Sequence, residues 1–322
     1  MKKNYSKLFI LFIMIYSSCL LLNASAIKLA VLKFGSVNWE YDVIKHHQLD
    51  KKNKINIKKI EMTNKDATTL AFLSKSVDIF VTDWIWVSKQ RNRGNLVTFI
   101  PYSNSSGALM TVSKQNIKGF FDLKNKKVGV AGGSLDKSWL FFRAYGIKKY
   151  NKDPLTFFDT SFAAPPLING LLRNNQLDAA FNYWNYSARL EAQGYQSFIN
   201  LHQVLPYIGI EGELPLIGYV FRESFLNKNK ESLMKFIKTS NEARKILRES
   251  DQEWVRISEM TGANDKVMLE KIKDSFRKGI PSENHELMKK NIKNAYKILG
   301  DIGGKALIGE SKELSPGTYW KK

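Results

Sequence analysis

The sequence predicts an α/β protein folded as two similar lobes joined by a hinge, with additional helices toward the C-terminus. Three observations lead there. A strand-helix-strand order occurs twice, each time with glycine or aromatic residues at the strand ends. Two extended runs, 102–112 and 215–221, fall where the chain passes from one lobe to the other. No Pro/Ser/Gly-rich spacer or low-complexity tract separates the halves, so these crossings form a hinge and not a loose linker.

Residues 28–34 are a β-branched and aliphatic run that stops at Gly35, the signature of a buried strand and a loop. A helix is expected over 38–48, a polar turn over 50–54 and a second strand over 55–61. Ala67, Leu70, Ala71 and Leu73 sit at helical spacing within 66–73, and a third strand, 77–81, ends at Thr82-Asp83-Trp84. The pattern then restarts. A short helix and turn over 120–126 leads to a strand over 127–131 that ends in Gly132-Gly133-Ser134. A helix from about 135 to 144, a strand within 151–158, a helix over 165–173 and a strand over 177–182 follow, stopping at Tyr183-Trp184. Such an order implies parallel strands with right-handed crossovers. Helices over 232–249, 251–260, 266–276 and 285–299 complete the chain, and Leu233, Phe236, Ile237 and Ala243 are core by their spacing.

The N-terminus has its own logic. Lys2, Lys3 and Lys7 precede an apolar run over 8–16, and Leu20, Leu21 and Leu22 lead to Ala24-Ser25-Ala26. A basic start, a short apolar core and an Ala-x-Ala exit make a secretory signal peptide over residues 1–26, with the mature chain starting near Ile27. The stretch is too short and interrupted to span a bilayer, and no later run is long enough. A soluble periplasmic product is the expectation. Cys19 is the one cysteine; Tyr16 stands where a lipoprotein signal has an aliphatic residue, and Leu20-Leu21-Leu22 make an unusual lipidated start. Without residues 1–26 the chain has no cysteine, hence no disulfide, thiol nucleophile or thiolate metal site.

The net charge of +20 becomes +17 once residues 1–26, with three lysines and no acid, are removed. A single basic arm would suit nucleic acid or an anionic membrane. Here the lysines are scattered among acids, and Lys51-Lys52-Asn53-Lys54 reads as a turn, so no nucleic-acid partner is expected.

In open α/β sheets ligands bind beyond the carboxyl ends of the strands. That rule selects the loops at Gly35–Trp39, Thr82–Trp84, Gly132–Ser138 and Asn182–Trp184. Glycines let backbone approach a ligand, Ser134 can cap the following helix, and free amides there favour an anion. The loop lacks the Lys-Ser/Thr of a phosphate-binding loop and the full spacing of a dinucleotide fingerprint, which argues against nucleotide chemistry. Trp84 and Trp86 beside Asp83, with Tyr183 and Trp184 as their counterparts, suit a cation or flat heterocycle, although such aromatics also serve as plain core. Asp83 at a strand end needs a partner if it is buried. No catalytic arrangement emerges. His46 and His47 are adjacent and diverge on a helix, His202 and His285 are isolated, and no nucleophile elbow, His-Glu-x-x-His motif or carboxylate pair is present. No catalytic residue, metal or cofactor is therefore expected.

These segments resemble the nitrate/sulfonate/taurine-type family of periplasmic solute-binding proteins over nearly the whole mature length. The resemblance rests on the opening strand through Trp39, 77–86, 123–133, 176–184 and Gly218-Tyr219-Val220-Phe221. It is strongest toward bacterial members carrying Asp83-Trp84-Ile85-Trp86-Val87-Ser88, the run from Ala131 to Trp139, Asn182-Tyr183-Trp184 and Leu314-Ser315-Pro316-Gly317-Thr318. The resemblance implies a type II periplasmic binding fold that closes like a hinged clamp, and a role as a component of an ABC importer. Pyrimidine-forming enzymes of thiamine biosynthesis share that scaffold but carry a cysteine-rich motif and catalytic histidines; a mature chain without cysteine departs from them.

The expectations are then definite. Residues 27–112 and 214–322 form the first lobe and 113–213 the second. The protein is a monomeric, non-catalytic binding protein that passes a small organic molecule to the permease of an ABC transporter. Asn38, Trp39, Asp83, Trp84, Gly133, Ser134, Asp136, Asn182 and Trp184 contact the ligand. The aromatics pack it, Asp83 and Asn182 set polarity, and Ser134 with neighbouring amides holds an acidic group. Sulfonates, amines and aminopyrimidines are the ligand classes, the acid-plus-tryptophan pattern favouring an amine or aminopyrimidine. The competing readings are a thiamine-pyrimidine enzyme and a basic lipid-surface protein.

Overall fold

The computed structural model describes residues 26–112, 117–282 and 284–320. The expected signal peptide and Cys19 lie outside the described residues, as does Ser113, the expected start of the second lobe.

From the N-terminal side the elements are β1 (Ile27–Leu32), α1 (Val37–His46), β2 (Ile57–Met62), α2 (Lys65–Leu73), β3 (Ile79–Thr82), α3 (Trp84–Asn92), β4 (Val97–Ser103) and β5 (Ala108–Thr111). Then come β6 (Lys127–Ala131), α4 (Lys137–Tyr150), β7 (Asp159–Ala163), α5 (Pro165–Arg173), β8 (Ala179–Asn182), α6 (Trp184–Ala192) and β9 (Gln196–Asn200). The chain continues through β10 (Ile217–Arg222), α7 (Glu223–Glu249), α8 (Lys266–Lys278) and α9 (His285–Ile308). Two five-stranded sheets result, in the orders β2-β1-β3-β10-β4 and β7-β6-β8-β5-β9. In the second sheet β6 runs parallel to β7 and β8, while β5 runs antiparallel to β8 and β9. β5 was expected in the first lobe with the rest of 27–112; its ladder to β8, Ala108↔Asn182 through Thr111↔Ala179, puts it in the second sheet.

By compactness the chain divides into two units, residues up to Ile79 with Lys228–Ala243, and Phe80–Asn227 with Arg244–Lys322. The first holds the parallel β1–β2 ladder from Ile27↔Ile57 to Leu32↔Met62. Ile27, Leu29, Ala30 and Val31 of β1 are buried, as are Val43 and Ile44 of α1 and Phe72 of α2. Asn64 starts α2 by accepting the Ala67 amide at 2.9 Å, the capping that a short polar side chain supplies best. In the second unit one cluster joins Ala108, Met110, Ala131, Ile168, Leu172, Leu177, Ala180 and Leu190. Its strand residues share one face of the second sheet: Ala108 and Met110 alternate along β5, Met110 pairs with Ala180, and Ala131 lies two residues on from Gly129, which also pairs with Ala180.

The internal repeat is closer than the element order alone requires. Asp78 Oδ2 accepts the Lys28 amide at 2.9 Å and its own amide donates to the Lys28 carbonyl at 2.9 Å. Asp178 does the same with Lys127, at 2.8 Å both ways. Lys75 and Asn175 take left-handed φ values of 63° and 55°, and Gly94 and Gly194 take 86° and 88°. Each pair is separated by 100 positions, so 73–94 and 173–194 are two copies of one helix-turn-strand-helix unit.

One expected strand moves. Residues 151–158 do not form it: Asp153 accepts the Leu155 amide at 3.0 Å and Pro154 takes the first helical position, making a single turn over Pro154–Phe157. An Asp-Pro pair is a helix start, since proline there has no amide to waste. The strand follows at Asp159–Ala163.

Candidate functional site

The carboxyl end of β3 runs directly into α3, and Asp83 is the residue between them. Its Oδ1 accepts the Trp86 amide at 2.9 Å, capping the helix, and its Oδ2 accepts from Lys137 Nζ at 2.8 Å. The two side chains of that ion pair are 25% and 17% exposed. The loop after β6 is thereby tied to the turn after β3.

That loop is shaped by two glycines with φ of 86° and 94°. A Cβ on Gly132 would lie 2.3 Å from the Tyr183 hydroxyl, whereas one on Gly133 would meet nothing within 4 Å. Gly132 is therefore required by close packing and left-handed backbone together, and Gly133 faces open space. Ser134 is exposed and does not cap the helix; α4 begins at Lys137, two residues later than expected, and Asp136 caps it by accepting the Ser138 and Trp139 amides at 2.9 and 3.2 Å. The amides proposed for an acidic ligand group are thus partly occupied by the protein's own carboxylate.

Lys137 is the side chain the sequence reading passed over. Burial alone depresses its ammonium, but the charges of Asp83 and Asp136 and the hydrogen bond to Asp83 reverse the balance and hold its pKa above the ordinary lysine value. The available signal was its position, which Lys65 and Lys266 share. A lysine in the first turn of a helix opposes the helix dipole and needs carboxylate neighbours.

Asn182 ends β8 and is 1% exposed. Its Nδ2 donates to the Pro165 carbonyl at 2.9 Å and to Asn169 Oδ1 at 2.7 Å, and its Oδ1 accepts the Tyr183 amide at 2.8 Å. It organises the turn into α6. Tyr183, half-buried against the glycine loop, has its pKa pushed up to about 12 by burial and by the Asp136 carboxylate. Trp184 is half-buried with its ring 6.3 Å from that of Phe276. Trp84 is wholly buried, and its indole donates to the Pro215 carbonyl at 2.7 Å. Trp86 is the more accessible of the two, edge-on to Phe80 at 4.9 Å.

Asn38 and Trp39 belong to the first unit, where both are buried, at 6% and 5% exposure. The Asn38 amide donates to the carbonyls of Leu32, Lys33 and Gly35 at 2.8, 3.2 and 3.0 Å, and its Oδ1 accepts from Lys59 at 3.0 Å. It fixes the loop between β1 and α1, on which Phe34 is 88% exposed. Among the described residues no cluster of three or more His, Cys, Asp or Glu side chains could hold a metal ion, and no helix is long and apolar enough to cross a membrane.

A family model described as "NMT1/THI5 like" matches residues 51–253. No curated protein sequence matches the chain. Solved structures do. The periplasmic aliphatic sulphonate binding protein SsuA from Escherichia coli superimposes with a TM-score of 0.72 at 17% identity, covering 93% of both chains. The alkanesulfonate-binding protein SsuA from Xanthomonas axonopodis pv. citri, bound to MOPS, gives 0.67 at 13% identity over 94% of this chain and 100% of that one. A Candida albicans gene product with the generic periplasmic binding protein fold gives 0.60 at 14% identity, over 92% and 98%. The chain therefore has the periplasmic binding protein fold.

Proposed function

This chain belongs to the NMT1/THI5-like family, and on that premise we propose that it is the extracytoplasmic solute-binding component of an ABC importer, working as a monomer that captures a small organic molecule and presents it to a permease. One observation carries the reading. The Asp83–Lys137 pair draws the carboxyl end of β3 and the open glycine loop after β6 together, where an α/β scaffold places its ligand. Proteins sharing the fold include periplasmic sulphonate-binding proteins and a ligand-binding component of an ABC-type import system, which supports the same role here. The side chains around the pair offer binding groups and no nucleophile-base couple, so they retain a molecule without altering it.

Within this proposal Gly133, Ser134 and Trp184 meet the ligand together with Asp83. Trp84, Asp136 and Asn182 act through the loops they hold, while Asn38 and Trp39 hold the β1–α1 loop of the first unit. The balance of ligand classes shifts toward an acidic molecule such as a sulfonate. Asp83 already has a helix amide and the Lys137 ammonium, so it is a poor receptor for an amine, whereas Lys137 offers a cation beside an open loop. A thermal-shift screen of the purified protein against sulfonates, carboxylates, amines and pyrimidines tests the proposal. A ligand held at a hundred times its Kd stabilises the native state by about 2.7 kcal/mol. A shift with an acidic compound that is lost in Lys137→Met supports the assignment; shifts with amines alone, or with nothing, contradict it.

A further inference from the structure

We infer that the ligand extends from the Asp83–Lys137 pair along α3, and that Lys89 and Arg93 with Trp86 form a second anion-binding subsite there, selecting an organic acid with a flat apolar body. This rests on the proposed binding role and adds to it the shape and charge of the bound molecule.

A cavity of about 320 Å³ begins at the ion pair and follows the exposed side of α3. That volume lies within the range of small-molecule sites. Three cations line it, Lys89, Arg93 and Lys137, against the single carboxylate of Asp83. Asp83 is already spent on Lys137 and the Trp86 amide. Lys89 and Arg93 are four residues apart, hence on one helix face one turn from each other. Lys89 Nζ reaches only the Ala306 carbonyl, at 3.5 Å, and among the described residues neither cation is paired with a carboxylate. A favourable helix dipole accounts for basic residues near the end of α3. It does not account for their converging with Lys137 on one concave wall.

The rest of the wall is apolar. Trp86, Leu135 and Leu307 line the same cavity, with Leu135 40% exposed. An exposed leucine beside a partly exposed indole is costly in water and is offset when a flat hydrocarbon covers both. A compact inorganic anion uses the cations and leaves this wall wet; a neutral aromatic uses the wall and leaves two cations unmatched. An acid joined to a ring system uses both.

The test is calorimetric titration of the purified protein with 2-naphthoate and, in parallel, with the neutral 2-naphthalenemethanol. The expected result is binding of the acid at least about tenfold tighter than the alcohol. Binding should weaken further as salt rises, because the cations are solvent-accessible. Lys89→Gln with Arg93→Gln lies on an accessible helix face and should fold normally while weakening the acid about tenfold. Trp86→Leu should weaken acid and alcohol alike. If acid and alcohol bind equally, or if the charge-deleted protein binds the acid as wild type does, the subsite is refuted while a screening hit on other acids leaves the binding role standing. If Lys137→Met abolishes every hit and the Lys89/Arg93 variant changes none, the ligand stops at the ion pair and the extension is likewise refuted.

Discussion

Asp83 supplies two interactions that can be separated by substitution. Its Oδ1 caps α3, a contribution of about 1 kcal/mol. Its Oδ2 accepts a 2.8 Å charge-assisted bond from Lys137, worth about 2 kcal/mol between side chains that are one-quarter exposed or less. Asp83→Asn keeps an oxygen able to cap and removes the charge, so it should cost about 2 kcal/mol. Asp83→Ala removes both and should cost about 3 kcal/mol. Urea unfolding followed by tryptophan fluorescence reads both, with an unchanged m-value showing that the native and denatured ensembles are otherwise intact. Combining each with Lys137→Met in a double-mutant cycle isolates the pair, and a coupling of about 1–2 kcal/mol is expected. The pH dependence has a fixed sign. Lys137 has a raised pKa when folded, so its contribution is complete below the unfolded value of about 10.4 and is lost as pH rises through the folded value. Coupling should therefore be flat from pH 6 to 9 and fall only in alkali. Equal costs for the asparagine and alanine variants, or a coupling under about 0.3 kcal/mol, would refute the reasoning.

Three further outcomes follow from the same geometry. Gly132→Ala drives a Cβ to 2.3 Å from the Tyr183 hydroxyl at a φ of 86°, whereas Gly133→Ala meets only backbone strain; thermal unfolding should show the first clearly the more damaging, by about 1–2 kcal/mol. Asn38→Ala deletes an amide whose two protons are shared among three carbonyls, and an acceptor for Lys59, so chemical denaturation should register a loss of about 2–3 kcal/mol, and Asn38→Asp, which cannot donate, should not rescue it. Tyr183 has its pKa raised to about 12, so the folded state keeps a proton that the unfolded state releases above pH 10. Stability should drop by about 2 kcal/mol between pH 10 and 12, and a Tyr183→Phe protein should lose that much less over the same window when melting is followed against pH.

Much of the architecture was legible in the sequence because its punctuation is chemical. The strand ends at Asp83 and Gly132 carry residues that satisfy a helix-start amide and admit an unusual backbone angle respectively, and these are local requirements. The paired lysine–aspartate latches at Lys28–Asp78 and Lys127–Asp178 show why two copies of one unit could be read. What misled was equally physical. Asp153-Pro154 is a helix start inside an apolar stretch, and the apolar content argued for a strand one element too early. β5 looked like a connection, and nothing local to Ala108–Thr111 says which sheet it joins. Within the site, the position of Asp83 and the glycine loop was readable, but the direction of each indole was not. Trp84 and Trp86 sit two positions apart on one helix start, and only tertiary packing decides that Trp84 meets Pro215 in the core while Trp86 stays at the surface. Lys137 was hidden for the opposite reason: it is scattered among many lysines, and its place at a helix start is shared with Lys65 and Lys266, so only the tertiary approach of Asp83 singles it out.

Under the proposed function, the turn after β3 and the loop after β6 hold a small organic acid without changing it. Calorimetric titration of the purified protein with the strongest acidic compound from the thermal screen, followed by mass analysis of the ligand released on denaturation, tests this most directly. One molecule should bind per chain and be recovered at its original mass, with affinity about tenfold lower in Lys137→Met. Heatless mixing with every acid, unchanged affinity in that variant, or recovery of a chemically altered molecule would contradict it.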